Sequence, residues 1–197
     1  MATDVIPDLM SRLTVASIFI KGGYGLEIAP WTNPLLLVGC RMCYVEINPD
    51  HITMPGQVVD NGEALSTVAD GSLDFIIACH VMEHFRNPIK AIEIHLRKLK
   101  PTGGFLYYIL PDKDLGSCDV NRETTPFSHL VEDYRNNTPP DRGDPGHIHV
   151  WNAEAAREFF DSCNTLLGNP YKLVHFSVNP PNKEDIIMLQ KMPEATP

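Results

Sequence analysis

The sequence predicts a three-layer α/β fold on a mostly parallel seven-stranded sheet with an antiparallel last strand, and three observations carry that prediction. Short apolar runs with few charges alternate with helical segments, as they do where helices cover both faces of a parallel sheet. One βαβ unit can be read almost residue by residue. The last two apolar runs are joined by Pro180-Pro181, a reversal too short for a helical crossover, so the final strand must run antiparallel.

Residues 6–20 form the first element, a helix packed outside the sheet. Strands follow at 25–28, 44–47, 57–59, 75–79 and 105–110. Only about ten residues, 48–57, separate the second strand from the third, and they contain Pro49 and Pro55. A crossover usually needs a dozen or more. Either a single helical turn fits there or the strand boundaries lie elsewhere. Between the fourth and fifth strands Asn87 caps a helix with Pro88 in its first turn, and Ile89, Ile92, Leu96 and Leu99 recur at helical spacing. Lys98 and Lys100 suit its C-terminal dipole, and Pro101 with Gly103-Gly104 ends it. A helix at 128–136 and another after Asn152, with Ala156, Phe159, Phe160 and Cys163 on one face, precede the closing strands at 173–178 and 186–190.

A chain of 197 residues buries roughly 70% of its unfolded surface, enough for one core, so residues 1–197 read as a single domain. The net charge of −9 argues against a phosphate-neutralising surface, and no nucleic-acid partner is expected. The apolar runs fall far short of the ~20 residues that span a bilayer, so no membrane partner is expected either. Asp4 and Asp8 stand where a secretory signal would be basic, which predicts a cytoplasmic protein. Five cysteines, an odd and scattered set, fit reduced thiols. Cys40-Arg41-Met42-Cys43 has no second ligand pair at metal spacing and reads as small residues leading into a strand.

The chemistry gathers at the strand ends. Glu27 lies near the end of the first strand, in the strand and turn Leu26-Glu27-Ile28-Ala29-Pro30, and Glu46, followed by Ile47, comes 19 residues later at the end of the second strand. An acid at that place binds ribose hydroxyls in a doubly wound nucleotide fold. A dinucleotide also needs a G-x-G-x-x-G turn whose amides reach the pyrophosphate, and here Pro30 has no N–H to donate. A cofactor with ribose, adenine and cationic groups but no phosphate suits Glu27 better, which favours S-adenosyl-L-methionine over NAD.

These residues carry a resemblance: the chain is similar to class I SAM-dependent methyltransferases of the type 11 kind, in a bacterial subset with a Pro-bearing first motif. Asp70 to His84, reading DGSLDFIIACHVMEH, resembles the family's DGSFD…SHVLEH segment, and Lys100 to Phe105, KPTGGF, its LKPGG turn. The resemblance spans about residues 25–109. It implies the Rossmann-like methyltransferase fold and a cofactor site of Glu27, Ile28, Ala29, Pro30, Glu46, Ile47, Asn61, Gly62, Cys79 and His80. Asn61 and Gly62 would hold adenine, with an ordinary turn as the alternative, and His80 would line the pocket. His84 reads as a helix-start residue. The glycine-rich first loop is reduced here to Ala29-Pro30-Trp31-Thr32-Asn33-Pro34.

Residues 111–151, with five prolines and three of the eight histidines, read as a substrate-binding insertion. Histidine is the usual base at neutral pH, so His129 and His149 are the candidate catalytic residues, and Asp112, His147 and Trp151 the candidate substrate contacts. The H-x-H pair lacks an evident third ligand, and no metal site is expected. The function expected is methyl transfer to a small-molecule or sugar hydroxyl. The alternative is a catalytically silent SAM-binding or interaction module on the same fold, and a homo-oligomer stays open.

Overall fold

The computed structural model describes residues 6–30, 33–140 and 146–193. Trp31 and Thr32 of the first loop, Pro145, and Asp4 lie outside them. Four α-helices and seven strands follow in the order α1 (Ile6–Phe19), β1 (Gly23–Ile28), β2 (Cys40–Glu46), β3 (Gln57–Val59), β4 (Phe75–Cys79), α2 (Pro88–Lys98), β5 (Phe105–Pro111), α3 (Phe127–Arg135), α4 (Ala153–Leu166), β6 (Tyr171–Asn179) and β7 (Glu184–Lys191). The strands form one sheet of order β3-β2-β1-β4-β5-β7-β6, in which β7 runs antiparallel to both neighbours and the other pairings are parallel. The expected antiparallel closing strand is thus present, inserted between β5 and β6. Its reversal is a 3-10 turn, Pro180–Asn182, ended by Lys183 in the left-handed region.

Alternation along the central strands divides the core. Ile76, Ala78, Leu106, Tyr108 and Leu110 face α2 and α4, where Ile89, Ile92, Leu96, Phe159 and Phe160 bury. Phe75, Ile77, Tyr107 and Ile109 face the other side, under Leu9, Leu13, Ala16 and Ile20 of the α1 segment and Leu35 and Leu37 of the loop after β1. Gly25 is required where β1 crosses this second layer, because a Cβ there would lie 2.0 Å from the Phe75 ring.

The α2 helix begins as expected: the Asn87 side chain accepts from the Lys90 amide at 3.0 Å and Pro88 occupies the first turn. The short link after β2 settles the sequence ambiguity in favour of a single turn. Pro49–His51 is a 3-10 turn capped by Asn48, which accepts from the Asp50 amide at 3.0 Å. All five cysteines are free. Among the described residues no helix is long and apolar enough to cross a membrane.

Candidate functional site

Parallel order dictates where a crevice opens. From β1 the chain moves to β2 on one side, whereas β4, the other neighbour of β1, leads to β5 on the opposite side. Connections therefore diverge at the carboxyl ends of β1 and β4, the usual place for a ligand in an open α/β sheet. A cavity of about 680 Å³ lies there, and Glu27, Ile28, Ala29, Pro30, Glu46, Ile47, Asn61, Gly62, Cys79 and His80 all line it. The turn after each strand is sharp: Ala29 and His80 adopt positive φ values of 49° and 54°, a conformation that costs on the order of 1 kcal/mol or more for a residue with a Cβ.

Two carboxyl groups face this cavity from β1 and β2. Glu27 is 2% exposed and accepts the Leu35 amide through both oxygens, at 3.2 and 3.0 Å. Burial pushes its carboxyl up to about 8, against the opposing influence of that amide and of Arg12. Glu46 is 3% exposed; its Oε1 accepts the Asn48 amide at 3.2 Å, while its buried Oε2 has no hydrogen-bond partner among the described residues. A buried acceptor of this kind is costly unless a ligand supplies the donor.

The loop after β3 forms a third wall. Gly62 packs so close to β1 that a Cβ would lie 2.5 Å from Ile28 Cγ2. Its carbonyl accepts from His95 Nε2 of α2 at 2.7 Å, and the other ring nitrogen of His95 meets the Tyr108 hydroxyl at 2.8 Å. Complete burial lowers His95 to about 4, so the ring is neutral. Glu63 accepts the Arg86 and Asn87 amides at 3.1 and 3.0 Å, tying this loop to the start of α2.

The fourth wall holds a charged network. Glu184 of β7 is fully buried and receives Arg12 of α1 (Nη2 to Oε2, 2.6 Å), His80 (Nε2 to Oε2, 2.9 Å) and Asn179 (2.9 Å). Burial alone would raise its carboxyl, but hydrogen bonds from His80 and Arg12 hold it at about 2. Cys79 beside it has its thiol pushed far up by burial. Arg12 and Glu184 come from opposite ends of the chain and carry no motif, so sequence reasoning missed them. Glu83 and His84 stood inside a quoted motif but received no role at the site.

Of the acceptor-side expectations, only His147 reaches the neighbourhood of the cavity, in edge contact with the cavity-lining His84 (ring centroids 4.8 Å apart). The structure does not bring His129, His149, Asp112 or Trp151 to the cavity. His129 is half-exposed and pairs with Asp133 at 3.4 Å. His149 is buried between His129 and Trp151, and burial, with the nearby His129, lowers it to about 4. Trp151 packs on Phe159 at 5.6 Å, where its large apolar area seals the core. Asp112 is buried as the cap of the 3-10 turn Lys113–Leu115, accepting the Asp114 amide at 2.8 Å. His149 and Trp151 thus sit in packed surroundings, Asp112 caps a turn, and His129 makes a surface ion pair.

Comparison with known proteins gives one family: the model described as "Methyltransferase domain" matches residues 20–164. No curated protein sequence matches the chain. Solved structures similar to it include a SAM-dependent methyltransferase from Methanosarcina mazei (15% identity, 91% of this chain and 98% of that one, TM-score 0.60) and a SAM-dependent methyltransferase from Aquifex aeolicus (11%, 92% and 89%, 0.59). A third is the plantazolicin methyltransferase BamL in complex with a triazolic desmethylPZN analogue and SAH (10%, 94% and 86%, 0.61). At these identities the likeness is one of fold.

Proposed function

The chain belongs to the methyltransferase-domain family, and from that premise we propose that it binds S-adenosyl-L-methionine in the cavity at the ends of β1 and β4 and transfers its methyl group to the hydroxyl of a small molecule or sugar. The observation that carries the reading is the buried Glu46 Oε2, without a hydrogen-bond partner among the described residues, in a cavity that the buried Glu27 also lines. These carboxyl groups fit the cofactor: one acceptor awaits a hydroxyl, one carboxyl awaits a cation, and Pro30 in the turn after β1 has no N–H to offer a diphosphate.

When bound, the cofactor supplies an electrophilic methyl group on its sulfonium. The chain's own residues do the holding. Glu46 would accept from the ribose, and Glu27 would ionise against the ammonium of the methionine moiety. Ile28, Ile47 and the Asn61-Gly62 backbone would flank the adenine, with His95 fixing Gly62. Ala29, Pro30, Cys79 and His80 would bound the methionine end, and the Arg12–Glu184 pair keeps His80 oriented. Catalysis then requires an acceptor held in line with the methyl group. Segment 111–151, as the part of the chain outside the cofactor-binding half, is its source of acceptor contacts, through His147 first.

Calorimetry with SAM, S-adenosylhomocysteine and NAD tests the reading. SAM and its product are expected to bind and NAD not to; failure of both SAM ligands at millimolar concentration would refute it. Methyl transfer to a panel of hydroxyl acceptors then separates an enzyme from a silent SAM-binding module.

A further inference from the structure

Beside the cofactor cavity lies a cluster in which Glu83 and His84 have no role in holding the cofactor. Glu83, in the 3-10 turn Met82–His84 after β4, is fully buried. Three imidazole nitrogens surround one of its oxygens, Oε1: His147 Nε2 at 3.8 Å, His80 Nδ1 at 3.9 Å and His84 Nε2 at 4.0 Å. Glu83, His84 and His147 each present one ligand atom within 4.8 Å of the others. Backbone bonds fix the meeting of two distant segments, since the amides of Ile148 and His149 donate to the Glu83 carbonyl at 2.8 and 3.1 Å.

The outer hydrogen bonds decide which ring nitrogens point inward. Nδ1 of His147 lies 2.5 Å from Asp119 Oδ2, and Arg122 holds the other oxygen of Asp119 at 2.7 Å. With that N–H given to Asp119, the Nε2 lone pair is directed at Glu83 and His84. His80 repeats the pattern, with Nε2 on Glu184 at 2.9 Å and Nδ1 toward Glu83. Imidazoles that ligate metals are held in this way, by a carboxylate on the nitrogen away from the ion. Ligands bound at about 2.0–2.2 Å around a tetrahedral ion stand roughly 3.3–3.6 Å apart, so the two imidazoles, now 3.8 and 4.0 Å from Glu83 Oε1 and within 4.8 Å of one another, would have to draw in by about 0.2–1.5 Å.

We propose that Glu83, His84 and His147 bind a divalent transition-metal ion such as zinc, which takes two imidazoles and a carboxylate with a fourth position left open, and that Asp119 is the residue positioning His147. His84 also lines the cofactor cavity, so an ion held by this cluster would adjoin it. This role rests on the methyltransferase reading: an acceptor hydroxyl bound to the ion loses its proton to solvent, its oxygen forms the new bond to the methyl carbon, and the electron pair of the broken C–S bond stays on sulfur. A rival set, Cys118, Asp119 and His147, shares the histidine through its other nitrogen. It is disfavoured because Arg122 and His147 already take both oxygens of Asp119.

The test titrates metal-stripped protein with zinc, and separately with S-adenosylhomocysteine, by calorimetry. One zinc at micromolar affinity or better is expected. His84→Gln and His147→Gln should each weaken it at least tenfold and Asp119→Asn about tenfold, whereas Cys118→Ser should leave it unchanged. Should a variant not fold, cobalt in the unaltered protein gives the same answer, as visible ligand-field bands without a thiolate charge-transfer band. Absence of zinc binding overturns the site, making the cluster an ion-pair network only, and a thiolate band or loss of binding in Cys118→Ser overturns it in favour of the rival set. S-adenosylhomocysteine binding without zinc binding would remove the metal and leave methyl transfer standing; zinc binding without S-adenosylhomocysteine binding would do the reverse.

Discussion

Replacing Glu46 with glutamine separates a ligand-binding carboxylate from a structural one. In the free protein Oε1 keeps the Asn48 amide at 3.2 Å, and glutamine retains that bond through its carbonyl. What changes is the buried Oε2, which has no partner among the described residues. If a ribose hydroxyl supplies its donor, one charge-assisted hydrogen bond is lost, about 1.5–3 kcal/mol, or roughly a 10- to 150-fold rise in Kd at 1.4 kcal/mol per decade. The same substitution puts a neutral amide NH2 in place of a buried carboxyl oxygen with no partner, and a neutral group costs less to bury than a charged one, so the unliganded Tm is expected to hold or rise. Calorimetry with S-adenosylhomocysteine reads the first quantity and thermal melting the second. Affinity unchanged within about twofold, or a fall in Tm of several degrees, would refute the reasoning, because either result would make Glu46 a structural carboxylate.

Because Glu27 sits at about 8 in the free protein, binding of the cofactor's ammonium below that pH should release up to one proton. The binding enthalpy should then differ between buffers of low and high ionisation enthalpy, and Glu27→Gln should erase the difference; equal enthalpies in both buffers for the parent protein would contradict the assignment. Asp185 is fully buried, and burial with Asp112 and Glu184 nearby raises it to about 7. A folded value above the unfolded one means a penalty absent below about pH 4 and fully present above about pH 7. Asp185→Asn is therefore expected to stabilise at about pH 8, on the order of 1–3 kcal/mol, and much less at about pH 4, as read by urea melts. His95 shifts the other way, to about 4, so its contribution is lost as pH falls from about 6.5 to 4. His95→Leu should remove that acid sensitivity, lower stability at neutral pH by about 1–3 kcal/mol through the Gly62 carbonyl and Tyr108 hydroxyl left behind, and weaken cofactor binding; unchanged binding would separate the Gly62 loop from the site.

Much of this arrangement is legible from local chemistry. The α2 helix announces itself through Asn87, Pro88 and its apolar spacing, and the strands through short runs of buried residues, because capping and periodicity are properties of neighbours in the chain. The cofactor-side residues are legible for the same reason: Glu27, Glu46, Asn61 and His80 each end or follow a strand, and parallel strands bring their carboxyl ends together by construction. The acceptor side is different. His129, His149, Asp112 and Trp151 are polar or amphipathic residues in a Pro-rich stretch, and nothing local distinguishes a side chain turned to a cavity from one capping a turn or filling a core.

By itself, then, the sequence determined the alternation of elements, the strand-end carboxyls and the antiparallel close. Only the tertiary structure decided that Arg12 meets Glu184 and His80, and that His147 swings onto Glu83 and His84 while His149 two residues later is sealed beside Trp151. The physical reason is range. Periodicity and caps act over a few residues and are written in adjacent letters, whereas these contacts join distant parts of the chain, and their partners are chosen by whichever buried charges and lone pairs the packed sheet leaves to be satisfied.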